Sequence, residues 1–124
     1  VPTGDGAGVA ASAAGPSALS DVGPSAVTVY MWINLYRTAT RVYSEGWTSG
    51  SNYLYMARSK NHLCRGSSCT KWTANKVSNV RWVWAGWYWN SKMWCVWRTN
   101  TEHKFKFTCS SAIVTRNTVL RANF

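Results

Sequence analysis

Val27-Thr28-Val29-Tyr30-Met31-Trp32-Ile33-Asn34-Leu35-Tyr36 carries an apolar side chain at every odd number and a polar or aromatic one at every even number. A two-residue period held over ten positions is the mark of a strand with one face in a core. Its aliphatic face is expected inward, and its aromatic and polar face partly covered or wet. Nothing elsewhere in the chain shows the 3.6-residue period of a long amphipathic helix, so the fold class reads as all-β.

Outward from this strand, further strands are expected over residues 41–48 and 53–58, with Leu54 and Met56 inward and Gly46, Gly50 and Asn52 supplying turns. Residues 59–78 are polar and without apolar alternation, and read as a loop. Two aromatic strands follow, 81–89 and 93–97, joined by a turn at Asn90, Ser91 and Lys92. Gly86 in mid-strand points to a bulge or to close approach by another backbone or a ligand. Residues 104–109 alternate again, and a last strand or pair spans 112–120 with a break near Asn117. Six to eight short strands give a small disulfide-stapled antiparallel sandwich or barrel.

Residues 1–26 are rich in Gly, Ala, Ser and Pro, with too little apolar surface to offset the entropy of ordering. They are expected to form a flexible N-terminal arm before a domain over 27–124, either as a solvated tail or as a peptide that docks on a partner. All fourteen Lys and Arg residues lie at or after Arg37, against only Glu45 and Glu102 in that stretch. Such a body attracts acidic polymers, anionic lipid and acidic proteins.

The four cysteines form an even set, and the expected pairs are Cys64 with Cys69, across a short loop turned at Gly66, and Cys95 with Cys109. The second pair assumes that the chain reverses around residues 99–103. Zinc is the rival use of these thiols, but CxxC spacing is missing and only His62 and His103 could assist, so no metal and no cofactor are expected. Disulfides and a first residue, Val1, that is not methionine suggest a secreted protein with its leader removed. No apolar run reaches the ~20 residues that a membrane helix needs.

General acid–base chemistry would have to draw on Glu45, Glu102, His62 and His103 alone, a thin pool, and no nucleophile, phosphate-loop or metalloprotease motif is present. Tryptophan is the strongest positive signal, with six of the nine indoles between residues 82 and 97. One small core has room for only a few indoles, so the others are expected to face solvent. The expected binding residues are Trp82, Trp84, Trp87, Trp89, Trp94 and Trp97 with Arg81, Lys92 and Arg98. The expectation is a secreted, non-enzymatic binding or adaptor protein that docks a protein or an acidic cell-surface polysaccharide, within a larger antibacterial assembly in one version. Its alternatives are a cationic antimicrobial acting at membrane surfaces or the cell envelope, and a small basic ribonuclease. Nucleic acid is the less favoured partner of a secreted chain.

Overall fold

The computed structural model describes residues 11–14 and 19–124. Eight strands form one antiparallel, curled sheet: β1 (Ala11–Ala14), β2 (Leu19–Val22), β3 (Thr28–Arg37), β4 (Arg41–Arg65), β5 (Ser68–Cys69), β6 (Thr73–Asn90), β7 (Val96–Lys106) and β8 (Val114–Asn123). The all-β expectation holds, and the alternation in β3 is realised as read: Val29, Met31, Ile33 and Leu35 are buried. No helix among the described residues is long and apolar enough to cross a membrane.

The spine is β4, whose 25 residues replace the two strands and intervening turn expected over 41–58. Its first half lies between β3 and β6, and its second half between β7 and β6. The change of neighbour falls at an irregularity. Ser49 pairs with Trp82 and the next pair is Leu54 with Val80, so residues 50–53 stand opposite Arg81 alone. Asn79, next on β6, has a positive φ of 51°. An insertion of this kind bends and twists the strand that carries it, and here the bend brings the two halves of β4 face to face. Gly46 is where they meet: a Cβ there would collide with Thr101 of β7. Gly86 answers the second possibility raised by the sequence, since a Cβ at that position would strike the Ser44 carbonyl of β4.

The interior has three layers. At one end Ile33, Leu35, Val42, Leu63, Trp97, Leu120 and Phe124 form an apolar cluster, and at the other Val29, Met31, Leu54, Ala57, Val83 and Phe105 form a second. Between them lies a belt of buried polar side chains that bond to one another. Thr48 Oγ1 is 2.9 Å from both Ser59 Oγ and His103 Nδ1, and His103 Nε2 is 2.8 Å from Thr118 Oγ1. Ser44 donates to Asn61 Oδ1, and Asn61 Nδ2 donates to Thr99 and Thr101. Mutual bonding is what makes the belt tolerable, because a buried polar group without a partner costs about 1–3 kcal/mol.

This belt corrects two expectations. Residues 59–78 are mostly strand, because the inward positions Ser59 and Asn61 are polar and hide the period from a hydrophobic reading. Residues 99–103 are not a reversal but the middle of β7, with Thr99, Thr101 and His103 inward for the same reason. Cys95 and Cys109 therefore lie beyond opposite ends of an 11-residue strand, roughly 35 Å apart at the usual rise per residue, and both are free thiols. Nor do β6 and β7 form the expected aromatic hairpin, since both pair with β4. Cys64 and Cys69 do form a disulfide, which is compatible with an extracellular location.

The flexible arm expected over residues 1–26 falls in part on 1–10 and 15–18, which lie outside the described residues. Where described, the segment is sheet followed by a single 3-10 turn at Pro24–Ala26: β1 and β2 pair in turn along the outer edge of β3. Asp21 on β2 forms an ion pair with Arg116 of β8 at 3.0 Å, joining the two margins of the curl. In contrast, β6 pairs with β4 alone among the described strands and leaves its other edge free.

His103 has its pKa lowered to about 4 by burial, which outweighs the opposing effect of a hydrogen bond with the Trp47 backbone. A histidine that is neutral when folded and titrates near 6.5 when unfolded contributes stability above pH 6.5, and that contribution is lost as pH falls towards 4. Urea unfolding is expected to show a loss of about 3 kcal/mol between pH 7 and pH 4, and His103→Gln a much flatter profile. Gly46→Ala is expected to lower the urea-derived stability by about 1–3 kcal/mol through overpacking against Thr101; an unchanged midpoint would contradict the close approach of the two half-sheets.

Candidate functional site

On the outer face of the first half-sheet, cross-strand registry sets aromatic rings in rows. Trp47 on β4 stands between Trp32 on β3 and Trp84 on β6, and Tyr43 stands likewise between Tyr36 and Tyr88. Trp32 and Trp47 are stacked with centroids 5.5 Å apart and planes 3° from parallel, and Trp47 to Trp84 is 5.9 Å. Tyr36 stacks on Tyr43 at 5.0 Å. Between the rows lie Asn34, Glu45 and Gly86. Glu45 is only 1% exposed and accepts a 2.8 Å hydrogen bond from Asn34 Nδ2. Burial, and then the Glu45 charge, push the Tyr36 hydroxyl well above the ordinary phenol range. The ladder thus answers the surplus of indoles: rings on neighbouring strands cover one another's faces, each such pair contributing about 0.5–1.5 kcal/mol beyond area burial.

Rings at the margin of the ladder keep a free side. Trp82 is 53% exposed, tilted 40° from Trp47, and lies beside a groove of about 660 Å³ that opens where β4 bulges. The bulge itself makes the groove, because residues 50–53 are pushed out opposite Arg81 and carry Tyr53, 61% exposed, to the rim. Ser49, Asn75 and Asn79 give polar lining, Val77 and Val80 apolar lining, and Lys76 and Arg81 positive charge; no carboxylate lines the groove. Asn75 is held by a 2.6 Å bond from its Nδ2 to the Trp84 carbonyl, which fixes the start of β6 against its own later part.

Of the residues singled out from sequence, Arg81, Trp82 and Trp84 meet at this groove. The other six do not join them in one patch. Trp84 and Trp87 differ by an odd number along β6, so Trp87 and Trp89 stand on the opposite face; Trp87 is exposed beside Thr70 and Trp72, and Trp89 packs edge-on to Trp97 under Arg65. Trp94 is exposed in the β6–β7 connection with the Arg37 guanidinium 4.5 Å from its ring, and Lys92 is exposed in the same connection. Trp97 leaves the binding set altogether: it is 0% exposed in the core, with Nε1 donating to the Phe124 carbonyl at 3.3 Å. Arg98 faces the disulfide. Tyr53 and Lys76 were not expected from sequence; both line the groove that the four-residue bulge opens, and no residue pattern announces that bulge.

The four groups weighed for acid–base work are dispersed. His103 is in the interior belt, Glu45 within the ladder, and Glu102 near Arg58 and Lys104 at 3.7 and 3.9 Å. His62 stacks on Trp72 at 3.7 Å, with its pKa lowered by burial and by Arg98 and Lys60. Comparison with known proteins finds no matching family model, no matching curated protein and no matching solved structure.

Trp47→Ala should lower stability by about 3 kcal/mol, since it opens a gap between Trp32, Trp82 and Trp84, whereas Trp82→Ala should change it by less than about 1 kcal/mol. Chemical denaturation of the two variants checks the contrast, and equal losses would mean that Trp82 is a structural ring.

Proposed function

We propose that this chain is a secreted, non-enzymatic binding protein whose groove beside β6 docks an extended acidic polysaccharide of a cell surface. The observation that carries the reading is the pairing of two accessible rings, Trp82 and Tyr53, with two cations, Lys76 and Arg81, in a groove free of carboxylates. Sugar rings present flat C–H faces that rest on aromatic rings, and carboxylate, sulfate or phosphate substituents take charge-assisted hydrogen bonds from Lys and Arg. An open groove with a polar lining suits a hydrated linear chain, whereas a protein anchor favours a deep, desolvated socket. The strongly basic body adds long-range attraction.

Affinity electrophoresis or calorimetry with uronate-bearing and neutral glycans of equal length tests the reading. Binding to the acidic glycan is expected, weakening as salt rises. Trp82→Ala and Arg81→Ala are each expected to reduce affinity about tenfold or more, with Arg121→Ala changing it little. Equal affinity for the neutral glycan, or an undiminished Trp82→Ala, would overturn the proposal. Preferential capture of single-stranded nucleic acid of the same charge would redirect it, since stacking in a cationic groove is also how such strands are held.

A further inference from the structure

Away from the groove, the hairpin at the far end of β4 holds a second concentration of chemistry. Cys64 on β4 pairs across the strands with Cys69 on β5, and on its other side with Arg98 of β7. Cys64 is completely buried while Cys69 is exposed, so a reagent from solution reaches one sulfur and not the other. Arg98 points its guanidinium at the bond: one terminal nitrogen is 3.5 Å from the Cys64 sulfur and 4.0 Å from that of Cys69. Its Nε is buried with no hydrogen-bond partner, and among the described residues no carboxylate forms an ion pair with it. A half-buried guanidinium turned towards two neutral sulfurs lacks a counter-charge. The neighbouring His62 supplies none, since an imidazole is neutral or cationic, and burial with the Arg98 and Lys60 charges holds this one towards its neutral form.

A thiolate at Cys64 would provide that counter-charge. We propose that Cys64–Cys69 is a thiol-exchange site, at which a small-molecule thiol is taken up on Cys69 while Arg98 stabilises the departing Cys64. The thiolate of the incoming molecule attacks the exposed Cys69 sulfur, and a new S–S bond forms between them. The Cys64–Cys69 bond breaks with its electron pair going to Cys64, whose thiolate pairs with the Arg98 guanidinium. A second thiolate of the same kind then attacks the small-molecule sulfur of the mixed disulfide, releasing the Cys69 thiolate and a small-molecule disulfide. Two electrons pass from two external thiols to the protein bond, with no other reactant. An opposite charge within about 4–6 Å lowers a thiol pKa by roughly 1–3 units, and a leaving thiol of lower pKa departs faster. The site is independent of the glycan reading.

The test uses the full chain with Cys95→Ser and Cys109→Ser, so that only this pair reports, treated with reduced glutathione and separately with uncharged 2-mercaptoethanol. Acid quenching and peptide mass mapping give the exchange rate and the sulfur that carries the adduct. The adduct is expected on Cys69. Arg98→Met should slow exchange about tenfold or more with both thiols, and Arg98→Lys should restore most of the rate. Arg121→Met, which alters the charge of the next strand without touching sulfur, should leave the rate with 2-mercaptoethanol unchanged. An adduct on Cys64, an undiminished rate in Arg98→Met, or reduction only at urea concentrations that unfold the chain would each overturn the proposal and leave the bond as a structural staple.

Discussion

The fold depends on a belt of hydroxyl, amide and imidazole groups that must find one another in the middle of the interior. Thr48 lies in the first half of β4 and His103 on β7, which pairs with the second half, so the hydrogen bond between them links the two halves across the curl. Apolar clusters above and below supply most of the driving force, yet they are non-directional and tolerate sliding. Directed bonds among Ser44, Asn61, Thr99 and Thr101 do not tolerate it. A one-residue slip of β7 against β4 would turn the whole set outward and bury its neighbours. The belt thereby fixes the register that the apolar clusters leave underdetermined.

Once register is fixed, the outer surface follows. Trp32, Trp47 and Trp84 line up because the strands that carry them are aligned from within, and so do the three tyrosines two rows away. The same alignment spends its mismatch at one place, the stretch of β4 opposite Arg81, and the groove is the outward sign of that bend. The closure of the interior and the groove on the exterior thus share one cause.

Legibility in the sequence tracked the chemistry of the inward side chains. In β3 they are aliphatic, and alternation alone located the strand and its faces. At Ser59 and Asn61 of β4 and at Thr99, Thr101 and His103 of β7 they are polar, and a hydrophobic reading turned the first stretch into a loop and the second into a reversal. The mistaken Cys95–Cys109 pair descended from that error, whereas Cys64–Cys69 depended only on a tight turn at Gly66 and was found. Within the site, the odd spacing between Trp84 and Trp87 was already enough to divide the tryptophans between two faces. The contribution of Tyr53 and Lys76 was not legible, since it arises from a mismatch between two strands rather than from either one.

The free edge of β6 has a further consequence. Alternate residues of this 18-residue strand turn their backbone groups away from β4, where no described strand pairs with them, and such an edge invites the same strand of a second molecule to add to the sheet. Lys76, Arg81 and the kink at Asn79 interrupt that edge with like charge and a break in its straightness. These cations therefore act as gatekeepers against self-association, and any relative of this chain that discards them must protect the edge by another means or risk stacking into fibres.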